Sequence, residues 1–274
     1  MRRQGIIVDP VVAGVERLWE SRVLHVRAGM DISPTMFFAA ADVNWSALTI
    51  ADRVSSTVLS LAGAGANPSS GYSPAHPGKS VAFPGAKYFS GNGIGDIGAN
   101  DLWFGAIASP TVATRRLASQ MHLAPSNQGW QLYVGASYGV SLYVYSGGSF
   151  GSVSTPALSG GAWGLFTFGI NKTEATGYGG RGFANGVVGT GVDLSALGTF
   201  SNSGDSLMLG SGYDGTLPFI GGVAALFAYS VADLWSAGAT GAAEMQALAL
   251  KQLQIYTGLA ALRNDSGSIY PSSM

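Results

Sequence analysis

A chain of 274 residues with a formal net charge of −1 and no cysteine excludes several classes at once. Its electrostatics draw it neither to nucleic acid nor to an anionic membrane, and it can form no disulfide, thiolate metal site or cysteine nucleophile. Charged residues make up 11% of it where a typical soluble domain has roughly a quarter. The surface is therefore expected to be largely neutral and suited to packing against neighbours.

The length suits one large β domain with an extension, or two small domains, and the first division is favoured: an arm over 1–36, a sandwich over 37–262 and a tail over 263–274. Met1-Arg-Arg opens like a signal peptide, but Asp9, Pro10 and Glu16 interrupt any apolar core. No uncharged apolar run approaches the roughly 20 residues that span a bilayer. A soluble protein made in a cytoplasm is expected.

The first segment differs from the rest in carrying Arg2, Arg3, Arg17, Arg22 and Arg27, half of the ten arginines. Apolar residues from Val11 to Val26 recur near helical spacing. Two readings stay open for it, a strand and loop on the domain's own edge or an arm reaching another subunit. From Met36-Phe-Phe-Ala the chain turns apolar, through Val43-Asn-Trp45 and Leu48-Thr-Ile-Ala-Asp-Arg-Val54. Asn67 to Gly78 holds three prolines and reads as a surface loop that cannot be a central strand. Asp101 to Ala108, Leu117 to His122, Gly129 to Gly135, Val140 to Tyr145 and Ser149 to Val153 read as strands. Among these, Trp130, Leu132 and Val134 share one face, and Gly147-Gly148 forms a hairpin turn.

Further on come Trp163-Gly-Leu-Phe-Thr-Phe-Gly-Ile170, Gly182-Phe-Ala-Asn-Gly-Val-Val188, Leu207-Met-Leu-Gly210 and Phe219-Ile-Gly-Gly-Val-Ala-Ala-Leu-Phe-Ala-Tyr229. Each is of strand length, apolar, and bounded by turn residues. Asn185-Gly186 is the strongest hairpin signal, because both residues tolerate the positive φ of a type I′ turn. Ala242 to Tyr256 predicts a helix with Met245, Leu248, Ala249 and Tyr256 as its stripe, Leu253 and Ile255 at the margins, Glu244 in the first turn and Gly258 as C-cap. It is expected to cover a sheet.

The order of Trp163, Asn185-Gly186, Leu207/Leu209-Gly210 and Phe219-x-Gly221 resembles the concanavalin A-like, laminin-G-type jelly roll. Lys79 to Phe89 resembles that family's early apolar-x-Phe-x-Gly-x-x-Tyr element, with Pro84 where the family often has Asp or Asn, and Ser230 to Trp235 looks like the short turn or helix that commonly follows its penultimate core strand. The resemblance implies an all-β, antiparallel jelly-roll β-sandwich, here with an N-terminal arm and one C-terminal helix.

Chemistry is sparse. Glycoside hydrolases on this fold pair two carboxylates across one glycosidic bond, yet Glu16, Glu20, Glu174 and Glu244 form no such motif. Asp96, Asp101, Asp205 and Asp214 lie beside glycine-rich turns, where Asp is an ordinary turn residue. His25, His76 and His122 have no metal-ligand spacing, no Gly-x-Ser-x-Gly elbow occurs, and Gly91-Asn-Gly-Ile-Gly-Asp lacks a βαβ unit around it. Asn92, Asp96, Asn100, Asp101 and Asp214 offer oxygens for calcium, but their convergence is not readable from sequence. No enzyme, no cofactor and no metal are expected.

Trp130, Tyr138, Tyr213 and Asp214 are the candidate glycan-binding residues, supplying aromatic faces and a carboxylate if they lie on exposed loops. Core packing is the stronger expectation for Trp130, and exposure for Tyr213 in Gly210-Ser-Gly-Tyr-Asp-Gly215. The resulting expectation is a non-enzymatic structural subunit of a phage-like virion: a capsid decoration, head-fibre or tail-associated protein. Its arginine-bearing arm would anchor it to capsid or tail proteins and to copies of itself, with host surface polysaccharide as a candidate ligand. The alternative is a stand-alone glycan-binding or receptor-binding module.

Overall fold

A computed structural model describes residues 34–74, 78–94, 101–122, 127–171, 179–197 and 205–230, with helical residues at 245–246, 248–250 and 252–253. The arm arginines Arg2, Arg3, Arg17, Arg22 and Arg27, the helix expected from Val11 to Val26, His76, the turn expected before Trp235, Glu244, Ile255, Tyr256 and Gly258 of the expected C-terminal helix, and the tail lie outside the described residues.

In chain order the strands are β1 Pro34–Ala39, β2 Val43–Asn44, β3 Thr49–Ala51, β4 Val58–Ala62, β5 Ser69–Tyr72 and β6 Lys79–Pro84. There follow β7 Tyr88–Gly91, β8 Asp101–Pro110, β9 Arg115–His122, β10 Gln128–Val134, β11 Val140–Ser146 and β12 Ser149–Ser154. The last are β13 Gly164–Asn171, β14 Gly180–Ala184, β15 Val187–Val188, β16 Leu207–Leu209 and β17 Ile220–Ser230. They build two antiparallel sheets. One has eight strands, in the order β15-β14-β13-β8-β17-β6-β5 with β1 also on β17, and the other nine, in the order β12-β11-β10-β9-β16-β7-β4-β3-β2. The architecture is a jelly-roll β-sandwich.

Strand alternation decides what fills it. Trp130, Leu132 and Val134 point inward from β10 and meet Phe104, Phe166, Phe168 and Leu226 of the facing sheet, all fully buried. The Trp130 ring lies 4.6 Å from that of Phe104, tilted by 58°. β8, β13 and β17 are apolar on both faces, as their continuous apolar runs require. Their outer faces present Trp103, Leu165 and Phe227, joined by Phe183 of β14, and the helical residues Met245, Leu248 and Ala249 cover them in a second core. Gly169 permits the close approach, since a Cβ there would come within 2.6 Å of the Met245 sulfur. Trp103 Nε1 donates to Gln252 Oε1 at 3.0 Å, satisfying the polar edge of a buried indole.

Both expected hairpin turns have their two central residues at positive φ, Asn185 at 50° with Gly186 at 77°, and Gly147 at 59° with Gly148 at 92°. Two segments differ from expectation, and a third divides between the sheets. Lys79 to Phe89 is two strands in different sheets, β6 and β7, because Pro84 cannot donate to a ladder and Gly85 follows at φ 86°. The proline-rich segment contributes β5, an edge strand, which is the one place its composition tolerates. Finally, β1 already takes Thr35 and Met36, which the expected arm included.

Asp52 holds β1 to the turn after β3. Its carboxylate is 3% exposed and accepts from the amides of Phe37 and Ser55, each at 2.6 Å. Without it the buried Phe37 amide loses its acceptor, a cost of about 1–3 kcal/mol.

Candidate binding face

The same alternation that sends Trp130, Leu132 and Val134 inward sends Gln131 and Tyr133 outward, onto the free face of the nine-stranded sheet. On β11, Val140, Leu142 and Val144 are buried, so Ser141, Tyr143 and Tyr145 face out. Register aligns one row across this face: Ser152, Tyr143, Gln131, Ser119, Met208, Ser90 and Ser60 are successive cross-strand partners from β12 to β4. Its middle is sunk, with Ser119 at 0% and Gln131 at 7% exposure, while its flanks are more open.

Aromatic rings cluster at one end. Tyr143, Tyr145 and Phe150 sit at mutual centroid distances of 6.0–6.4 Å with interplanar angles of 22–32°. Tyr133 meets Tyr143 edge-on at 6.1 Å. Phe150 is 63% exposed, an unusual position for a phenylalanine unless something packs on it. Gln131 Nε2 donates to the Tyr145 hydroxyl at 2.6 Å. Desolvation raises the Tyr145 phenol above its ordinary pKa, the Gln131 hydrogen bond opposes this, and Tyr143, Arg116 and Tyr213 are near enough to contribute charge effects. Tyr145 therefore stays neutral across the physiological range, with its own O–H hydrogen left to donate.

The loop from Gly210 to Thr216 folds back over the far side of the row. Arg116, opposite Tyr133 on β9, lies against Gly212, where a Cβ would come within 2.2 Å of its side chain. Its guanidinium sits 5.2 Å from the centre of the Tyr213 ring and 3.2 Å from Asp214 Oδ1. Asp214 also accepts from the Thr216 amide at 3.0 Å and from the Thr216 hydroxyl. Partial burial pushes the Asp214 pKa up, but the Thr216 hydrogen bonds and the Arg116 charge outweigh it and hold the carboxyl below its ordinary value. By linkage, this clamp contributes stability above the ordinary carboxylate range and loses it as pH falls through the lowered value.

The four sequence-derived candidates thus separate. Tyr213 is on the face, half-buried, with one side taken by Arg116. Asp214 organises the loop, its carboxylate engaged by Thr216 and Arg116. Trp130 is a correction to the glycan-binding set: at 0% exposure it is a core residue and presents no face to solvent. Tyr138, at φ 60°, has its ring placed by Gly160 and the edge of the core. Sequence reading missed Gln131, Tyr133, Tyr143, Tyr145, Phe150 and Arg116. The alternation of Val140-Ser-Leu-Tyr-Val-Tyr145 was the available signal, since it puts every other residue on the opposite face from the core.

Elsewhere, His122 Nδ1 pairs with Asp205 at 2.9 Å. Among the described residues no three His, Asp or Glu side chains gather as a metal-holding group. Asp96 and Asn100, two of the candidate calcium oxygens, lie outside the described residues.

No protein-family model and no curated protein sequence matches the chain. Solved structures do match it. Domain 4 of AbnA, a GH43 extracellular arabinanase from Geobacillus stearothermophilus, in complex with arabinotriose, is similar with a TM-score of 0.54 at 15% identity, over 73% of this chain and 94% of that one. The binding domain of Paraclostridial Mosquitocidal Protein 1 is similar at 0.50 and 13% identity, over 78% and 51%. The botulinum neurotoxin serotype G binding domain is similar at 0.50 and 8%, over 72% and 48%, so this chain spans about half the length of the two toxin domains. At these identities the likeness is one of fold.

Proposed function

We propose that this protein is a non-enzymatic binding module that recognises glycans on the outer face of its nine-stranded sheet. The observation that carries the reading is the asymmetry of the two sheets. The eight-stranded sheet hides its outer aromatic residues under helical residues, whereas the nine-stranded sheet leaves Tyr143, Tyr145 and Phe150 at its surface beside sunken polar groups. Sites for small ligands combine apolar and aromatic walls with a few placed polar atoms, and rings with a polar handle suit sugars, whose faces are apolar and whose edges are hydroxylated. The fold's likeness to an arabinanase domain solved with arabinotriose and to toxin binding domains supports the same class. Replacing Tyr143 and Tyr145 together by Ala is expected to abolish retention on polysaccharide columns while lowering the melting temperature by only a few degrees. Retention equal to that of the wild type ends this reading.

The second form of the proposal places the module on a phage-like virion as a decoration, head-fibre or tail-associated subunit, held by its arm to capsid or tail proteins. It is favoured by the concentration of Arg2, Arg3, Arg17, Arg22 and Arg27 ahead of the sandwich and by the low charge of the whole chain. Because β1 begins at Pro34, the informative truncation removes residues 1–33. Loss of particle incorporation with an unchanged melting temperature is the expected result, and normal incorporation of the truncated protein excludes the arm as anchor.

A further inference from the structure

We infer that the bound chain is an uncharged polysaccharide, that the Gln131 amide and the Tyr145 hydroxyl together read one of its hydroxyl groups, and that it runs across the strands, over the β12 edge and into the groove between the two sheets. This rests on the glycan-binding reading and narrows it to a class and a path.

The first observation is an orphan. Gln131 is 7% exposed and its Oε1 is closed to solvent, yet that oxygen finds no hydrogen-bond partner among the described residues, so a ligand group reaches it only as the side chains over it part. A buried acceptor left unpaired is costly. Beside it, the Tyr145 oxygen already accepts from Gln131 Nε2, which frees the phenolic hydrogen to donate. An acceptor and a donor side by side, both neutral, fit a group that donates to one and accepts from the other, and a sugar hydroxyl does both. Turning the amide over leaves an unpaired N–H in place of the oxygen, and a hydroxyl satisfies that arrangement too.

Charge gives the class. Among the described strand residues that alternation sends to this face, Arg116 alone is charged, and Asp214 neutralises it at 3.2 Å beneath the Tyr213 ring. An acidic sugar finds no spare cation there, and an amino sugar no spare anion.

The path follows from register. Gln131, Tyr143 and Ser152 are consecutive cross-strand partners, as are Tyr133, Ser141 and Ser154. Ser152, Ser154 and the adjoining Thr155 then line a cavity of about 690 Å³ together with Val188 and Thr190 of the facing edge. Ser119 is closed off, its hydroxyl donating to the Ser211 carbonyl, so the open row runs from Gln131 to Ser152 across two strand spacings, roughly 10 Å, before the groove begins. That length exceeds one sugar ring, and its lining of hydroxyls and rings carries no charge.

The test is calorimetric titration of the full chain with neutral cello-, xylo-, manno- and arabino-oligosaccharides, from disaccharide to hexasaccharide, and with sialyllactose and oligogalacturonate as acidic probes. At least one neutral series is expected to bind, more tightly with length, with little dependence on salt. Gln131→Met, which keeps shape and removes the polar pair, is expected to weaken every member of that series by about 10- to 100-fold. Ser154→Glu, at an exposed position whose hydroxyl meets that of Ser141 at 2.7 Å, is expected to abolish the gain in affinity with chain length. Tighter binding of an acidic probe, affinity independent of length, or wild-type affinity in both variants overturns the inference while leaving glycan binding intact. Binding of no carbohydrate by the wild type overturns the glycan-binding reading itself, and the inference with it.

Discussion

Trp130→Ala is expected to lower stability by about 3–5 kcal/mol, the usual cost of emptying a large buried aromatic site. For a domain of this size that corresponds to a fall in melting temperature of roughly 6–20 °C. The indole lies at 0% exposure between the sheets, 4.6 Å from the Phe104 ring, and no rearrangement short of separating the sheets brings it to solvent. Glycan affinity, measured well below the transition, should stay near the wild-type value. Urea denaturation and column retention together decide the matter. A stable Trp130→Ala protein that no longer binds sugar would make Trp130 a ligand contact and the description of the core wrong.

The neighbouring position reverses that pattern. Trp130 and Gln131 differ by one residue and therefore face opposite ways. The first costs stability and the second costs binding. Sequence alone made the inward half of this statement legible, because Trp130, Leu132 and Val134 are conspicuous as an apolar set and all three are buried. The outward half went unread because tyrosine is common in strands for packing reasons, so Tyr143 and Tyr145 did not stand out from the core aromatics. What distinguishes them is the cross-strand register that sets them beside Phe150 and Gln131, and register depends on pairing between segments distant in sequence.

Local chemistry was readable wherever a single short motif decides the backbone. Asn185-Gly186 and Gly147-Gly148 turn as expected, since positive φ at two successive residues is a property of those residues themselves. The proline-rich stretch after Asn67 was read as loop from its composition, yet Ser69–Tyr72 pairs at the edge, where only one side of the strand needs a ladder. β4 was missed because Val58, Ser60 and Ala62 supply little apolar contrast, and Leu59 is its one fully buried anchor. Tyr213 was expected to be exposed and is half-buried against Arg116, a partner of Asp214 that could not be found nearby in sequence because it lies 98 positions away.

The C-terminal stripe was the most legible feature of all, and it supports the second large effect. Met245, Leu248 and Ala249 were expected to face a sheet and are buried against Trp103, Leu165, Phe183 and Phe227. Leu248→Asp puts an unpaired charge into that contact, adding a desolvation cost to the about 2–5 kcal/mol lost with the leucine side chain. The main core between the sheets contains none of the helical residues, so the expected response is local. The helical residues lift off, the indole of Trp103 loses Gln252, and the outer aromatic residues of the eight-stranded sheet are exposed while the sandwich persists. Amide exchange should accelerate within 245–253, an apolar dye should bind, and glycan affinity on the opposite sheet should hold. Leu250→Asp is the control, because Leu250 is 46% exposed and its replacement should cost under about 0.5 kcal/mol. Unchanged exchange in Leu248→Asp would mean that the contact contributes little. Loss of glycan binding in the same variant would mean instead that the two sheets form one cooperative unit, with the outer cover of one holding the binding face of the other in shape.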